Sequence, residues 1–150
     1  MTTGAEETFV SSIERLMVRW GYTHSEGRVY GALLISPRAL TIGEIVRITE
    51  LSRSTVSSAL AHLIRAYVIT VYVNGRKKMF SAVPGLLELF LKQPKDILKH
   101  EVKPALESLE ELGVEGPVLE DLKSLECLLE ALPSLESRFK CPSPEGGNFK

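Results

Sequence analysis

The sequence predicts a mainly α fold carrying one small β-hairpin, and three observations predict it. Apolar residues recur at steps of three and four along most of the chain, the mark of helices that bury one stripe. A single run of β-branched and aromatic residues, Val68 to Val73, is followed by Asn74-Gly75 and a returning apolar run, the mark of a hairpin. Just ahead of that hairpin, two Ser/Thr-capped helix starts fall so close together that only a turn of about three residues separates the helices.

The first element is "GAEETFVSSIERLMVRWGY", in which Phe9, Val10, Ile13, Leu16, Met17 and Trp20 share one helical stripe. The next, "EGRVYGALLIS", is apolar over much of its surface. It ends at Pro37, because a residue before proline is pushed out of the helical region, and it reads as a central core helix. "LTIGEIVRITE" opens with a capping box: the Thr41 hydroxyl accepts from the Glu44 amide while the Glu44 carboxylate reaches back to the Thr41 amide. Ile42, Ile45, Val46 and Thr49 then face inward. Ser52 caps the following helix, "RSTVSSALAHLIRAY", and Leu51 can staple onto Val56.

That fourth helix has unlike faces. Val56, Leu60, Leu63 and Ile64 form its buried stripe, and Arg53, Ser54, Thr55, Ser57, Ser58 and His62 its other face. Serine and threonine are mediocre helix formers, so helix stability alone does not select this cluster. Short polar donors suit a surface that another surface must approach closely. The hairpin comes next, with Asn74-Gly75 expected at the centre of a type I′ turn and the chain returning through Met79, Phe80 and Val83. A two-stranded ribbon directly after the second helix of a helix-turn-helix is a wing. Its cations Arg76, Lys77 and Lys78 lie at or just past the tip.

From Pro84 onward the pattern is helical again, with Pro94 starting or kinking one segment and Pro104 bending the next. Leu98, Val102, Ala105, Leu109 and Leu112 make one heptad-like seam. "GVEGP" breaks the helix, and Val118, Leu122, Leu125, Leu129 and Leu132 make a second. Two such seams carry more apolar edge than a small winged helix covers, so a dimerisation region is their expected use, with pairing inside one chain as the alternative. The fold class is therefore a winged helix-turn-helix plus N- and C-terminal dimerisation helices. Residues 1–20 are the N-terminal helix of the dimer region, 21–83 the winged helix-turn-helix, 84–139 the C-terminal helical region and 140–150 a disordered tail. The expected dimer contacts are Phe9, Ile13, Leu16 and Trp20, with Leu98, Val102, Leu109, Val118, Leu122, Leu125, Leu129 and Leu132.

Charge is divided along the chain. Residues 1–20 hold 2 basic and 3 acidic side chains, 21–83 hold 8 and 3, and 84–150 hold 8 and 13, so a net −1 conceals segments of −1, +5 and −5. The basic middle segment is the one that would meet a polyanion, and double-stranded DNA is the expected partner. Ser52, Arg53, Ser54, Thr55, Ser57, Ser58 and His62 are the candidate major-groove contacts, and Asn74, Gly75, Arg76, Lys77 and Lys78 the candidate wing contacts. Arg38, Thr41, Arg47 and Arg65 would extend the phosphate footprint. Arg28 is divided between that role and pairing with Glu26 or with a dimer partner. The bland alternatives are a solvated helix face and an edge hairpin protected by charge.

Other chemistries find less support. His24, His62, His100 and Cys127 show no metal-ligand spacing, Cys141 lies in the Pro/Gly-rich tail, and neither a phosphate loop nor a nucleophile elbow is present. No catalytic residue, metal or cofactor is expected, and the chain reads as a non-enzyme. Trp20, Tyr22, Tyr30 and Phe90 could frame a cationic effector, although core packing suits them better. The longest apolar runs are too short to span a membrane, and acidic residues stand where a secretory signal carries basic ones, so a cytoplasmic location is expected.

The stretch "EGRVYGALLISPRALTIGEIVRITELSRSTVSSALAHLIRAYVITVYVNGRKKMF" resembles the GbsR branch of the MarR-type winged-helix transcription regulators, most specifically in "GRVYGALLISP", "LTIGEI", "SRSTVSSAL" and "VYVNGRKK". The resemblance implies a homodimeric regulator with the Ser52-to-Arg65 helix in the major groove, the wing on the adjacent minor groove and a small-molecule effector that alters DNA affinity. Where that family has glycine before and after the recognition helix, this chain has Glu50 and Tyr67. Positive φ at a non-glycine residue costs about 1 kcal/mol. The rival reading is a winged-helix protein–protein interaction module without DNA binding; a thiol or metal sensor is a third.

Overall fold

The computed structural model describes residues 3–82 and 86–136. Val83, Pro84, Cys141 and the tail expected to be disordered lie outside the described residues. The chain separates between Leu86 and Leu87 into two compact units.

In the first unit, α1 (Gly4–Arg19), α2 (His24–Ile35), α3 (Ile42–Thr49) and α4 (Arg53–Arg65) precede a hairpin of β1 (Ile69–Asn74) and β2 (Lys77–Ala82). Each of the first three helices starts with a reciprocal capping box, at Thr3/Glu6, Thr23/Glu26 and Thr41/Glu44, and Ser52 caps α4 through the Thr55 amide. These caps satisfy amides that would otherwise be orphaned and fix where each helix begins. α2 lies at the centre, with Val29, Tyr30 and Ala32 fully buried. Its two glycines let α1 come close: a Cβ at Gly27 would lie 2.8 Å from the Glu14 Cα, and one at Gly31 would lie 3.3 Å from the Ile13 Cβ.

The stripe of α1 is narrower than its spacing implies. Val10, Ile13 and Met17 are buried, whereas Phe9 is exposed and Leu16 and Trp20 are half-buried. Ile13, expected among the dimer contacts, is packed against α2 within the chain.

The turn between α3 and α4 is as short as expected. Glu50 takes φ 60° and Tyr67, after α4, takes φ 62°, the only non-glycine residues with positive φ among the described residues. These are the two positions where glycine was missing. The hairpin turn, in contrast, is displaced by one residue. Asn74 pairs with Lys77, so Gly75 and Arg76 form the turn, and Gly75 alone has positive φ. A single positive φ at the first central residue is the type II′ pattern, which glycine satisfies without help from asparagine. β2 also bonds to Leu40, whose N–H donates to the Phe80 carbonyl at 2.8 Å and whose carbonyl accepts from the Phe80 N–H at 2.7 Å. Leu40, Ile69 and Phe80 are buried at this base, and Val71, Tyr72 and Val73 are exposed further out.

The second unit holds α5 (Leu86–Ile97), α6 (Lys103–Leu112) and α7 (Pro117–Glu136). A π-helical stretch, Leu98–Val102, joins α5 to α6, and the Lys103 N–H donates to the Leu98 carbonyl. The wider turn sits just before Pro104, whose ring and missing N–H disrupt ordinary helical pairing. Pro94 is carried inside α5. Val102, Leu106 and Leu129 form the buried cluster, with Leu98, Leu119, Leu122 and Leu132 packed on it. Lys103 Nζ reaches Glu126 and Glu130 at 3.2 and 3.5 Å. Val102 and Leu129, expected between two copies, are instead satisfied inside one chain. Val118, Leu125, Leu128 and Leu135 are left exposed on α7 at heptad spacing.

Candidate nucleic-acid interface

The α4 surface begins at its cap. The Ser52 hydroxyl donates to Thr55 Oγ1 at 2.7 Å, accepts from the Thr55 amide at 3.2 Å and lies 3.3 Å from Ser54 Oγ. Thr55 is half-buried by these contacts; Arg53, Ser54, Ser57, Ser58 and His62 are exposed. Ser54, Ser58 and His62 follow one another at steps of four and make one row along the helix. They line a cleft of about 370 Å³ together with Thr23, Ser25 and Glu26 from the start of α2. His62 is not free: its Nδ1 lies 2.8 Å from Glu26 Oε2.

A second cleft, of about 480 Å³, lies between the start of α3 and the wing and is lined by Thr41, Ile42, Gly43, Arg53, Arg76, Lys77 and Lys78. Its four cations come from α4, the hairpin turn and β2. None of the four has a carboxylate partner among the described residues. Cations gathered around one cleft repel one another, and an anion from outside relieves that repulsion. The α3 N-terminus adds the partial positive charge of a helix start.

The other candidate phosphate contacts divide. Arg47 and Arg65 are exposed. Arg38 is engaged instead with Glu44, where it supplies the first cause of a carboxyl pKa lowered to about 2; the Thr41 amide is the second. Thr41 itself is occupied by the cap, its hydroxyl donating to Glu44 Oε1 at 3.2 Å. Arg28 is engaged within the protein, and not with Glu26. Its guanidinium donates to Glu7 at 2.9 and 3.1 Å, to Glu14 at 3.1 Å and to the Thr49 carbonyl at 3.2 Å. It therefore ties α1 and α2 to the last turn of α3, and its hydrogen bonds hold the Glu7 carboxyl below its usual range. Neither carboxylate was foreseen as its partner, because both lie on a helix whose rotation about α2 is set by Gly27 and Gly31. Among the described residues no cluster of His, Cys, Asp and Glu could hold a metal, and no helix is long and apolar enough to cross a membrane.

The fold is similar to that in the crystal structure of a transcriptional regulator, with a TM-score of 0.65 at 20% identity, covering 89% of this chain and 94% of that one. Other similar structures are MepR, a transcription regulator of the Staphylococcus aureus multidrug efflux pump MepA (TM-score 0.45, 20% identity, 87% and 93% covered), and a MarR-family transcriptional regulator from Silicibacter pomeroyi (TM-score 0.46, 14% identity, 92% and 86% covered). No protein-family model matches the sequence, and no curated protein matches it. What the first likeness shows is the fold: a mainly helical chain with a two-stranded wing.

Proposed function

We propose that the protein is a dimeric, sequence-specific DNA-binding transcriptional regulator of the MarR type, in its GbsR-like branch, with α4 in the major groove and the wing on the adjacent minor groove. The observation that carries this reading is the basic cleft, where Arg53, Arg76, Lys77 and Lys78 stand without a counter-charge among the described residues, beside a hydroxyl-rich helix face. The strand of phosphates between two grooves is the polyanion that such a cleft fits, while Ser54, Ser57 and Ser58 meet base edges or neighbouring phosphates. Dimer contacts come from the exposed α7 stripe of Val118, Leu125, Leu128 and Leu135, of which Leu128 and Leu135 escaped the sequence reading, with Phe9, Leu16 and Trp20 as further candidates. Two copies would read half-sites about 34 Å apart, or a multiple of that, in a roughly palindromic operator. A small-molecule effector that changes DNA affinity completes the proposal. It rests on the resemblance to the MarR type, since Tyr30 of the aromatic set is fully buried.

Replacement of Arg76, Lys77 and Lys78 by alanine tests the assignment. Binding to every duplex should weaken, and the slope of log affinity against log salt should flatten by about 2–3, close to one unit for each lost phosphate contact. An unchanged slope and affinity would remove the wing from the interface.

A further inference from the structure

Glu26 is a buried carboxylate on the edge of a surface read here as facing DNA, where an extra negative charge opposes binding. Its two oxygens have separate tasks. Oε1 accepts from the Thr23 amide at 3.1 Å and completes the cap of α2, while Oε2 lies 2.8 Å from His62 Nδ1. A carboxylate has acceptors only, so the proton must be on Nδ1, and in the neutral imidazole Nε2 is then a bare acceptor. His62 stands in the row of Ser54 and Ser58, with its side chain 57% exposed. That row is the one assigned to the groove.

We propose that Glu26 is a positioning residue for base readout: it holds His62 with its proton on Nδ1, so that Nε2 accepts a hydrogen bond from a base amino group, N4 of cytosine or N6 of adenine. This rests on the reading of the protein as a DNA-binding regulator and names one determinant of its sequence preference. The major-groove edge of guanine or thymine offers only acceptors at its polar positions, so this histidine disfavours them. A simple tie between α2 and α4 would need the same contact but would have no consequence for which base is bound.

Glu26→Gln separates the two. Glutamine is tolerated in a capping box, and its carbonyl oxygen is needed for the Thr23 amide. Its NH₂ group then faces His62 Nδ1, makes that nitrogen an acceptor and moves the imidazole proton to Nε2. The variant should stay folded and present a donor where the wild type presents an acceptor. The experiment is fluorescence anisotropy on the protein's own upstream duplex and on duplexes with each base pair changed singly, at about pH 8, above ordinary imidazole titration. Wild type, Glu26→Gln and His62→Ala are compared, with nitrogen NMR of the imidazole to locate its proton.

His62→Ala should lose about 3- to 10-fold discrimination at one base pair of each half-site. Glu26→Gln should reverse the preference there towards guanine or thymine, with the salt slope unchanged and the NMR proton moved from Nδ1 to Nε2. Uniform weakening on all duplexes, or wild-type base preference in both variants, overturns the proposal while leaving a DNA-binding regulator intact. A wild type with no sequence preference at all removes the regulator reading itself, and this inference with it.

Discussion

Glu50 and Tyr67 show how a single residue can oppose the fold that contains it. Both sit in left-handed backbone at the ends of helices, where glycine is unstrained, and Tyr67 is 85% exposed, so its side chain contributes little packing. Tyr67→Gly should therefore raise stability by about 0.5–1 kcal/mol in chemical denaturation, the relief of left-handed strain exceeding the added freedom of the unfolded chain. Glu44 acts in the other direction. Its carboxyl is lowered from 4.5 to about 2, chiefly by the Arg38 guanidinium and then by the Thr41 amide. A depressed carboxyl stabilises the folded state at pH values above its unfolded pKa, and that contribution disappears as the pH falls from 4.5 towards 2. Glu44→Gln should lower stability at neutral pH and flatten the acid limb across that window; an unchanged limb would place the acid-sensitive group elsewhere.

The helices were legible because the signals that mark them are local. Capping residues and apolar spacing are local, so Thr41, Ser52 and the stop before Pro37 could be read without knowing any neighbour. What could not be read was the side of each helix that meets another. Ile13, Val102 and Leu129 belong to stripes that suit either a second copy or the same chain, and only the packed geometry assigns them to the same chain. The hairpin turn slipped by one residue for a related reason: Asn74-Gly75 and Gly75-Arg76 are both acceptable turn centres, and strand pairing decided between them. The α1–α2 contact gives a prediction at this scale. Gly27→Ala would put a Cβ within 3.0 Å of two backbone atoms of Glu14. The helices must separate, so stability should fall by about 1–3 kcal/mol despite alanine's better helix propensity, and a stability equal to wild type would mean that α1 shifts freely.

At the scale of the whole molecule, the proposed function divides the labour: DNA contact would fall to the basic first unit, and self-association chiefly to the exposed α7 stripe of the second. Replacement of Leu125 and Leu128 by glutamate should leave the first unit folded but convert a dimer to monomers in sedimentation. Affinity for a two-half-site duplex should fall by about 100-fold or more, because the second half-site contact is no longer intramolecular. The candidate DNA surface was largely legible, since basic and hydroxyl side chains clustered in sequence also cluster in space. The Glu26–His62 contact and the Arg28 clamp were not, because their partners lie 36, 21 and 14 residues apart. The most direct test of the central claim is anisotropy of the purified protein on its own upstream duplex and on a scrambled one, at salt concentrations of about 50 and 200 mM. If 6 to 10 phosphates are touched, affinity should fall by about three to five decades between them, with the upstream duplex preferred. Absence of duplex binding at the lower salt, together with salt-insensitive capture of an acidic protein, would contradict the account and make the winged helix a protein-interaction module.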